Sequence, residues 1–135
     1  MNSFFNHPIW STHALLVARI LVGILFLGAG IMKLQGISNV AGYIAHAGFP
    51  MSLLLAYFAA ALEIITALAI ITGTHFKKAT LILAFFVFFI SFPFHGPSLW
   101  ATDPTAQMMF MKNMAIVGGL LFMTAHGAGN TWKLK

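Results

Sequence analysis

The sequence predicts an all-α integral membrane protein, an antiparallel bundle of four transmembrane helices with a short interfacial helix between helices 1 and 2. Two observations support this. The chain of 135 residues is 60% hydrophobic and 7% charged, whereas a soluble domain is about 45–50% apolar and about 25% charged. The apolar residues also lie in four stretches, each near the roughly 20 residues with which a helix crosses the hydrocarbon layer. We expect a single transmembrane domain over residues 1–135.

The four transmembrane helices are predicted at about residues 14–33, 51–72, 79–95 and 108–126. Charged side chains interrupt the stretches rarely: Arg19 lies in the first, Glu63 in the second and Lys112 in the fourth. Membrane-spanning strands would alternate apolar and polar residues with a period of two, and these stretches do not. Helices, which satisfy their own backbone hydrogen bonds in lipid, are therefore expected.

The segment between the first two spans predicts a short helix at about residues 39–47. Its apolar side chains recur at helical spacing, at Val40, Tyr43, Ile44 and Ala47. Gly48 ends this pattern, and Pro50 prevents its continuation. An amphipathic helix of this kind is expected to lie flat in the membrane interface.

The lysine distribution predicts the orientation of the chain. One side of the membrane would carry Lys77, Lys78, Lys133 and Lys135. The other side would carry Lys33 and Lys112. Because loops rich in Lys and Arg stay in the cytoplasm, we expect both termini to be cytoplasmic. The chain is therefore expected to be multi-pass, with the loop between helices 2 and 3 also in the cytoplasm.

Two helical stripes hold the charged residues of the first two spans. The first comprises Arg19, Gly23, Phe26, Gly30 and Lys33, and the second comprises Ala56, Ala60, Glu63 and Ala67. Small residues and intramembrane charges turn toward neighbouring helices, so the stripes are expected to face each other. At 1.5 Å per residue, Glu63 would lie about 6 Å in depth from Arg19 and about 15 Å from Lys33. This arithmetic predicts a structural ion pair between Arg19 and Glu63.

A second polar group is expected near the outer face of the membrane. Lys33, His95, Lys112 and Asn113 would lie about 20–28 Å from the cytoplasmic side. Cations, an imidazole and an amide at one level suit an anionic or quinone-like head group. We therefore expect a ligand site lined by Lys33, Glu63, His95 and Asn113. In the alternative interpretation, the lysines reach the lipid phosphates and His95 simply ends its helix.

The sequence contains no motif that identifies a catalytic residue. It has no cysteine, which excludes disulfides, thiolate metal sites and iron–sulfur ligation. No hydrolase, Walker or Rossmann pattern is present. We predict no metal site, and interpret His13, His75 and His126 as interfacial residues. The seven basic residues form no stripe that would bind nucleic acid.

Several segments, in order along the chain, resemble the DoxX family of small four-helix membrane proteins. Residues 19–33 resemble its first-helix signature, and residues 40–50 (VAGYIAHAGFP) resemble its interfacial helix. The acid within residues 62–64 resembles that of its second helix. Residues 112–121 (KNMAIVGGLL) resemble its fourth-helix asparagine and double glycine, and residues 127–129 (GAG) also fit.

The resemblance implies a multi-pass protein of the bacterial inner (plasma) membrane but leaves its function open. Some relatives are linked to thiosulfate:quinone oxidoreduction, others to membrane-associated oxidative-stress complexes, and distant eukaryotic ones act as receptor chaperones or cargo receptors. We interpret the chain as an accessory or quinone- or lipid-binding component of a membrane redox system, oxidoreductase-associated but without a catalytic motif. The alternatives are a small four-helix transporter and an assembly factor or chaperone. Quinone is the cofactor class considered, and the expected partners are membrane lipid with either another redox subunit or a homo-oligomer.

Overall fold

A computed structural model describes residues 2–129, Trp132 and Leu134. Lys133 and Lys135, which contribute to the predicted orientation, lie outside the described residues. The helices are α1 (Asn2–Phe5), α2 (Leu15–Gln35), α3 (Ile37–His46), α4 (Ser52–Thr72), α5 (Phe76–His95) and α6 (Pro104–His126). A π-helical turn (Trp10–Ala14) precedes α2, and a 3-10 turn (Pro97–Leu99) follows α5.

Four segments are long and apolar enough to cross a membrane: Thr12–Gln35, Ser52–Thr72, Phe76–Leu99 and Pro104–His126. The short helix α3 lies between the first two of them. The predicted all-helical fold, with four long apolar helices and a short helix between the first two, is therefore confirmed.

The largest differences from the predicted bounds are at the starts of α5 and α6. These helices begin at Phe76 and Pro104, ahead of the apolar runs from which they were predicted. For α6 the reason is a polar cap, since the side chain of Asp103 accepts the N–H of Thr105 at 3.0 Å and proline suits the first helical position. An apolar run therefore predicts the part of a helix that crosses the membrane, but not the residue at which the helix begins.

α2 and α4 pack antiparallel through small residues. A Cβ added at Gly30 would lie 3.0 Å from the carbonyl oxygen of Ala60, and one at Gly23 would lie 3.3 Å from that of Ala67. Glycine thus lets the two backbones approach closely. The buried residues of α2 are Arg19, Gly23, Phe26 and Gly30. Those of α4 include Ala56, Ala60, Glu63 and Ala67, so the prediction that the two stripes face each other is confirmed.

α5 and α6 form a second antiparallel pair. The hydroxyl oxygens of Thr80 and Thr124 lie 2.8 Å apart toward one end of this pair. Toward the other end, Nδ2 of Asn113 donates to Oγ of Ser91 at 3.0 Å. Polar contacts between spans are thus made at both ends of the interface, where each buried hydroxyl or amide finds a partner.

The two adjacent glycines of α6 do not form its packing face. Their sequence context predicts close contact with a neighbouring helix, but no described atom of another helix lies within 4 Å of a Cβ added at Gly118 or Gly119. The buried face of α6 instead contains Val117, Leu120 and Met123, which recur every three residues. Because larger apolar side chains gain more from burial, they turn α6 so that its glycines face outward.

α4 and α5 are joined by the short connection at residues 73–75, and one apolar core connects all four spans. Phe26 of α2, Ala67 and Ile70 of α4, Leu83 and Val87 of α5, and Leu120 of α6 belong to this core. α2 packs mainly on α4, and α6 mainly on α5. Among the described residues, α2 and α6 make no comparable helix–helix contact. We refer below to the Lys33 end of the bundle, which also holds α3, and to the opposite Arg19 end.

Candidate functional site

An ion pair joins α2 to α4 near the Lys33 end. Nζ of Lys33 donates to Oε2 of Glu63 at 2.9 Å and to Oε1 at 3.1 Å. The side chain of Glu63 is 4% exposed and that of Lys33 is 29% exposed. Both carboxylate oxygens are therefore satisfied by a cation that itself remains accessible from one side.

The direction of helical side chains explains this pairing. Cα–Cβ bonds tilt toward the N-terminus of their own helix. Because α2 and α4 are antiparallel, the side chains of Lys33 and Glu63 tilt toward each other, whereas that of Arg19 tilts away from Glu63. The geometry of the two backbones thus favours lysine over arginine as the partner of the acid.

The predicted ion pair between Arg19 and Glu63 is wrong. The prediction assumed that the cytoplasmic ends of the first two helices lie at the same depth. The contacts of Gly23 and Gly30 with α4 instead put Glu63 opposite about residue 29 of α2. At that register Glu63 lies about 6 Å along the axis from Lys33 and about 15 Å from Arg19. The error was in the relative depth of the two helices, not in the choice of their facing stripes.

Arg19 binds backbone carbonyl groups at the opposite end. Its Nε donates to Ile70 O at 3.2 Å, and its Nη2 donates to Ile71 O at 2.7 Å and to Trp132 O at 2.9 Å. Nη1 donates to Ala128 O at 3.3 Å. The last carbonyls of a helix lack intrahelical donors and carry the negative end of its dipole. Arg19 satisfies two such carbonyls of α4 and links α2 to the chain that follows α6.

A cavity of about 490 Å³ lies between α3, α4 and α5 at the Lys33 end. Six of its described lining residues carry a phenyl or phenol ring: Tyr43, Phe49, Phe58, Phe86, Phe89 and Phe94. Aliphatic side chains complete the wall, among them Val40, Ile44, Leu55, Ala59 and Ile90. Among the described lining residues, Lys33 and His95 supply the ionisable groups other than the phenol of Tyr43.

Three of the aromatic rings form a stack that connects α3 to α5. The rings of Tyr43 and Phe94 are 5.1 Å apart at 23°, and those of Phe49 and Phe94 are 6.0 Å apart at 26°. The phenol of Tyr43 also donates to the carbonyl of Phe94 at 3.4 Å. Because these rings hold one another, the cavity wall presents fixed aromatic surface.

The structure brings together part of the predicted ligand site. Lys33 and His95 line the cavity. Glu63 is not among the described lining residues, but it fixes the amine of Lys33. Asn113 lies on α6, is hydrogen-bonded to Ser91 of α5 and is not among the described lining residues. Ligand binding by these four residues stays a prediction, and Asn113 has a separate structural partner.

The aromatic wall and Ser91 are the residues that the sequence did not single out. Tyr43 belongs to the apolar face of the predicted interfacial helix, which was a usable signal. Phe94 precedes His95 directly, and Pro93 also lines the cavity. In a chain with 14 phenylalanines, however, sequence alone does not separate rings that line a cavity from those that face lipid.

The histidines predicted to be interfacial do not form a cluster. Among the described residues, no group of three His, Cys, Asp or Glu side chains is placed to hold a metal ion. His126 stacks on Phe122 with ring centroids 6.1 Å apart.

A second hollow, of about 450 Å³, opens at the Arg19 end beside His75, Lys77 and Lys78.

Four apolar spans with a buried ion pair between the first two define a small polytopic membrane protein. A family model described as DoxX matches residues 14–96, from the start of the first span to the end of α5. The chain is 35% identical over 114 residues to "Inner membrane protein YqjF" of Escherichia coli (strain K12), which covers 84% of each chain. It is 31% identical over 120 residues to "Inner membrane protein YphA" of the same organism, covering 85% of this chain and 84% of that protein.

The chain therefore belongs to the DoxX family, and by homology it is a multi-pass protein of the inner membrane. No solved structure matches it. The family match includes Arg19, Lys33, Glu63 and His95, and it ends before Asn113.

Proposed function

We propose that this protein is an accessory component of a membrane redox system and binds an amphipathic, quinone- or lipid-like molecule beside Lys33. The observation that carries the proposal is the aromatic cavity, whose polar groups include the amine of Lys33 and the imidazole of His95. Its volume of about 490 Å³ is within the range of small-molecule sites, which combine apolar walls with a few polar groups.

The ion pair leaves a hydrogen-bond donor for such a ligand. A lysine ammonium group has three N–H donors, and Glu63 accepts from Lys33 through its two oxygens at 2.9 and 3.1 Å. A further N–H can point to a ligand oxygen, and the amine is held in place by the carboxylate. Lys33 would then orient the head of the ligand while the rings of α3 and α5 surround its apolar part.

The rings that line the cavity also suggest how a ligand enters. Phe58 of α4 and Phe89 of α5 line the cavity, and they are 59% and 63% exposed. On membrane spans, exposed apolar side chains face lipid. The mouth between α4 and α5 would therefore open sideways into the bilayer, from which a lipid-soluble molecule diffuses in.

The redox part of the proposal depends on the family resemblance. The chain has no cysteine, so its own side chains supply no thiol–disulfide couple, and electrons would pass between the bound molecule and a partner subunit. We also propose that both termini are cytoplasmic, from the lysine distribution, which would place the Lys33 end toward the periplasm.

The ion pair disfavours the transporter alternative. A proton-coupled carrier requires a carboxylate that is free to exchange its proton and its partner. Glu63 is 4% exposed and binds Lys33 through both oxygens. The pair is better suited to holding one side chain in position than to alternating between states.

The proposal is tested by filling the cavity. Ala59 lines it, whereas Ala61, two residues further along α4, is exposed. In purified protein in nanodiscs, Ala59→Phe should weaken binding of a short-chain quinone analogue about tenfold or more, because the new ring occupies the site. Ala61→Phe, the matched control, should leave binding unchanged. Equal affinities in the wild type and Ala59→Phe would overturn the proposal.

A further inference from the structure

We infer that Glu63 sets the head-group specificity of the cavity by cancelling the charge of Lys33, so that the site selects uncharged, hydrogen-bond-accepting head groups and rejects anionic phospholipids. The inference rests on the proposed function, because it describes the same cavity. It concerns the chemical class of the ligand rather than its presence.

The charge balance at the cavity is the first step. Lys33 is the one lysine or arginine among the described lining residues, and Glu63 lies 2.9 Å from its amine. The pair has no net charge. Lys112, expected at the same level, is exposed on α6 and is not among the described lining residues. The group of cations that the sequence predicted at this site is thus not assembled there.

This charge balance disfavours the binding of an anionic head group in the cavity. A phosphate oxygen is held strongly when it meets unshared cationic donors, as in bidentate arginine sites. Here the carboxylate of Glu63 takes two contacts of the amine and would repel a second anion in a low-dielectric site. An uncharged carbonyl oxygen needs only one remaining N–H and brings no charge to desolvate. The favoured ligand is therefore an apolar body with a neutral carbonyl or similar acceptor.

The opposite end of the bundle provides a contrast within the same chain. The hollow at the Arg19 end is lined by His75, Lys77 and Lys78, with no acidic residue among its described lining. Anionic lipids are expected to gather on that surface. An experiment on specificity must therefore report on the cavity itself and not on total lipid bound to the protein.

Trp100 provides such a local reporter. Its Nε1 donates to the carbonyl of His95 at 2.8 Å, so its indole lies beside the cavity wall. A Trp10→Phe/Trp132→Phe background retains Trp100 as the one tryptophan. A quinone analogue, which quenches the fluorescence of a nearby indole, then gives a dissociation constant for the cavity in nanodiscs at about pH 8, above the ordinary titration range of histidine.

The test compares neutral and anionic competitors of the quinone analogue. In the wild-type background, diacylglycerol should compete and phosphatidylglycerol with the same acyl chains should not. In Glu63→Gln, which leaves Lys33 unneutralised, phosphatidylglycerol should weaken quinone binding about tenfold through one gained charge interaction. Glu63→Asp retains the charge and should behave like the wild type.

Two results would overturn the inference, and they are distinguishable. If phosphatidylglycerol competes in the wild type as strongly as in Glu63→Gln, the cavity binds ligand but Glu63 does not set its specificity. If quenching of Trp100 is insensitive to Ala59→Phe, the proposed function fails as well. Should Glu63→Gln not fold, competition by phosphatidylglycerol as strong as that by diacylglycerol in the wild type would still overturn the inference.

Discussion

Nζ of Lys33 lies 2.9 Å from Oε2 of Glu63, although their backbones are offset along the antiparallel helices by about four residues, or about 6 Å. The side chains close that gap because each tilts toward the N-terminus of its own helix. We expect this pair to contribute to stability as a unit. Lys33→Met and Glu63→Leu should each lower the free energy of unfolding by about 2–3 kcal/mol, since each leaves one charge without its partner.

The double variant Lys33→Met/Glu63→Leu should cost less than the sum of the single losses, which a double-mutant cycle from thermal or denaturant unfolding in detergent measures. The pair Arg19→Ala and Glu63→Ala is the control. These side chains have different partners, so their losses should be additive. Additivity in the Lys33–Glu63 cycle would contradict the pairing.

A methyl group at Gly30 should disturb the contact between α2 and α4. The added Cβ would lie 3.0 Å from the carbonyl oxygen of Ala60, which belongs to backbone and cannot turn away. We expect Gly30→Ala to lower stability by about 1–3 kcal/mol. Gly28→Ala is the matched change on the same helix. No described atom lies within 4 Å of its added Cβ, so the helix preference for alanine should leave stability unchanged or higher.

Asn113 should matter for stability and not for ligand binding. Its Nδ2 donates to Ser91 Oγ at 3.0 Å between α5 and α6. Asn113→Leu should lower the unfolding free energy by about 1 kcal/mol, which is typical of one interhelical hydrogen bond in a membrane. Quenching of Trp100 by the quinone analogue should keep its wild-type dissociation constant. If Asn113→Leu instead greatly weakens quinone binding while stability is unchanged, Asn113 contributes to the ligand site as the sequence predicted.

The orientation is testable by labelling, because the chain has no native cysteine. Single cysteines at His75 and Thr102 place one thiol in each of two loops on opposite sides of the bundle. In intact cells a membrane-impermeant maleimide should label Thr102→Cys and not His75→Cys, as the lysine distribution predicts. A reporter fused after Lys135 should also read cytoplasmic. The reverse labelling pattern would place the termini in the periplasm.

Replacing Arg19 by lysine should loosen the Arg19 end. Among the described residues, the guanidinium donates to the carbonyl groups of Ile70, Ile71, Ala128 and Trp132, whereas an ammonium group has three donors and no planar fork. Arg19→Lys should lower the melting temperature and increase proteolysis of the segment after α6. Protection of that segment equal to the wild type would show that other contacts hold it.

The sequence was sufficient for features that depend on one helix at a time. Four spans, the short helix between the first two and the inward stripes all follow from periodicity and composition. The partner of Glu63 did not follow, because it depends on the relative depth of α2 and α4, which the contacts of Gly23 and Gly30 determine. The cavity did not follow either, since stacking of Tyr43 and Phe49 on Phe94 depends on how α3 packs against α5.

Arg19 also has a consequence for the order in which the chain is made. Its acceptors on α4 are 51 and 52 residues further along, and those beyond α6 are 109 and 113 residues further. When the first span leaves the ribosome, the acceptors beyond α6 have not been synthesised, and those on α4 have not yet packed against it. An arginine disfavours insertion of a span by about 2.5–3.5 kcal/mol at its centre, and by less at the position of Arg19 near the start of α2. The leucines, isoleucines and valines of the first span must therefore outweigh this cost during insertion, and the span reaches its final arrangement only after Trp132 has been translated.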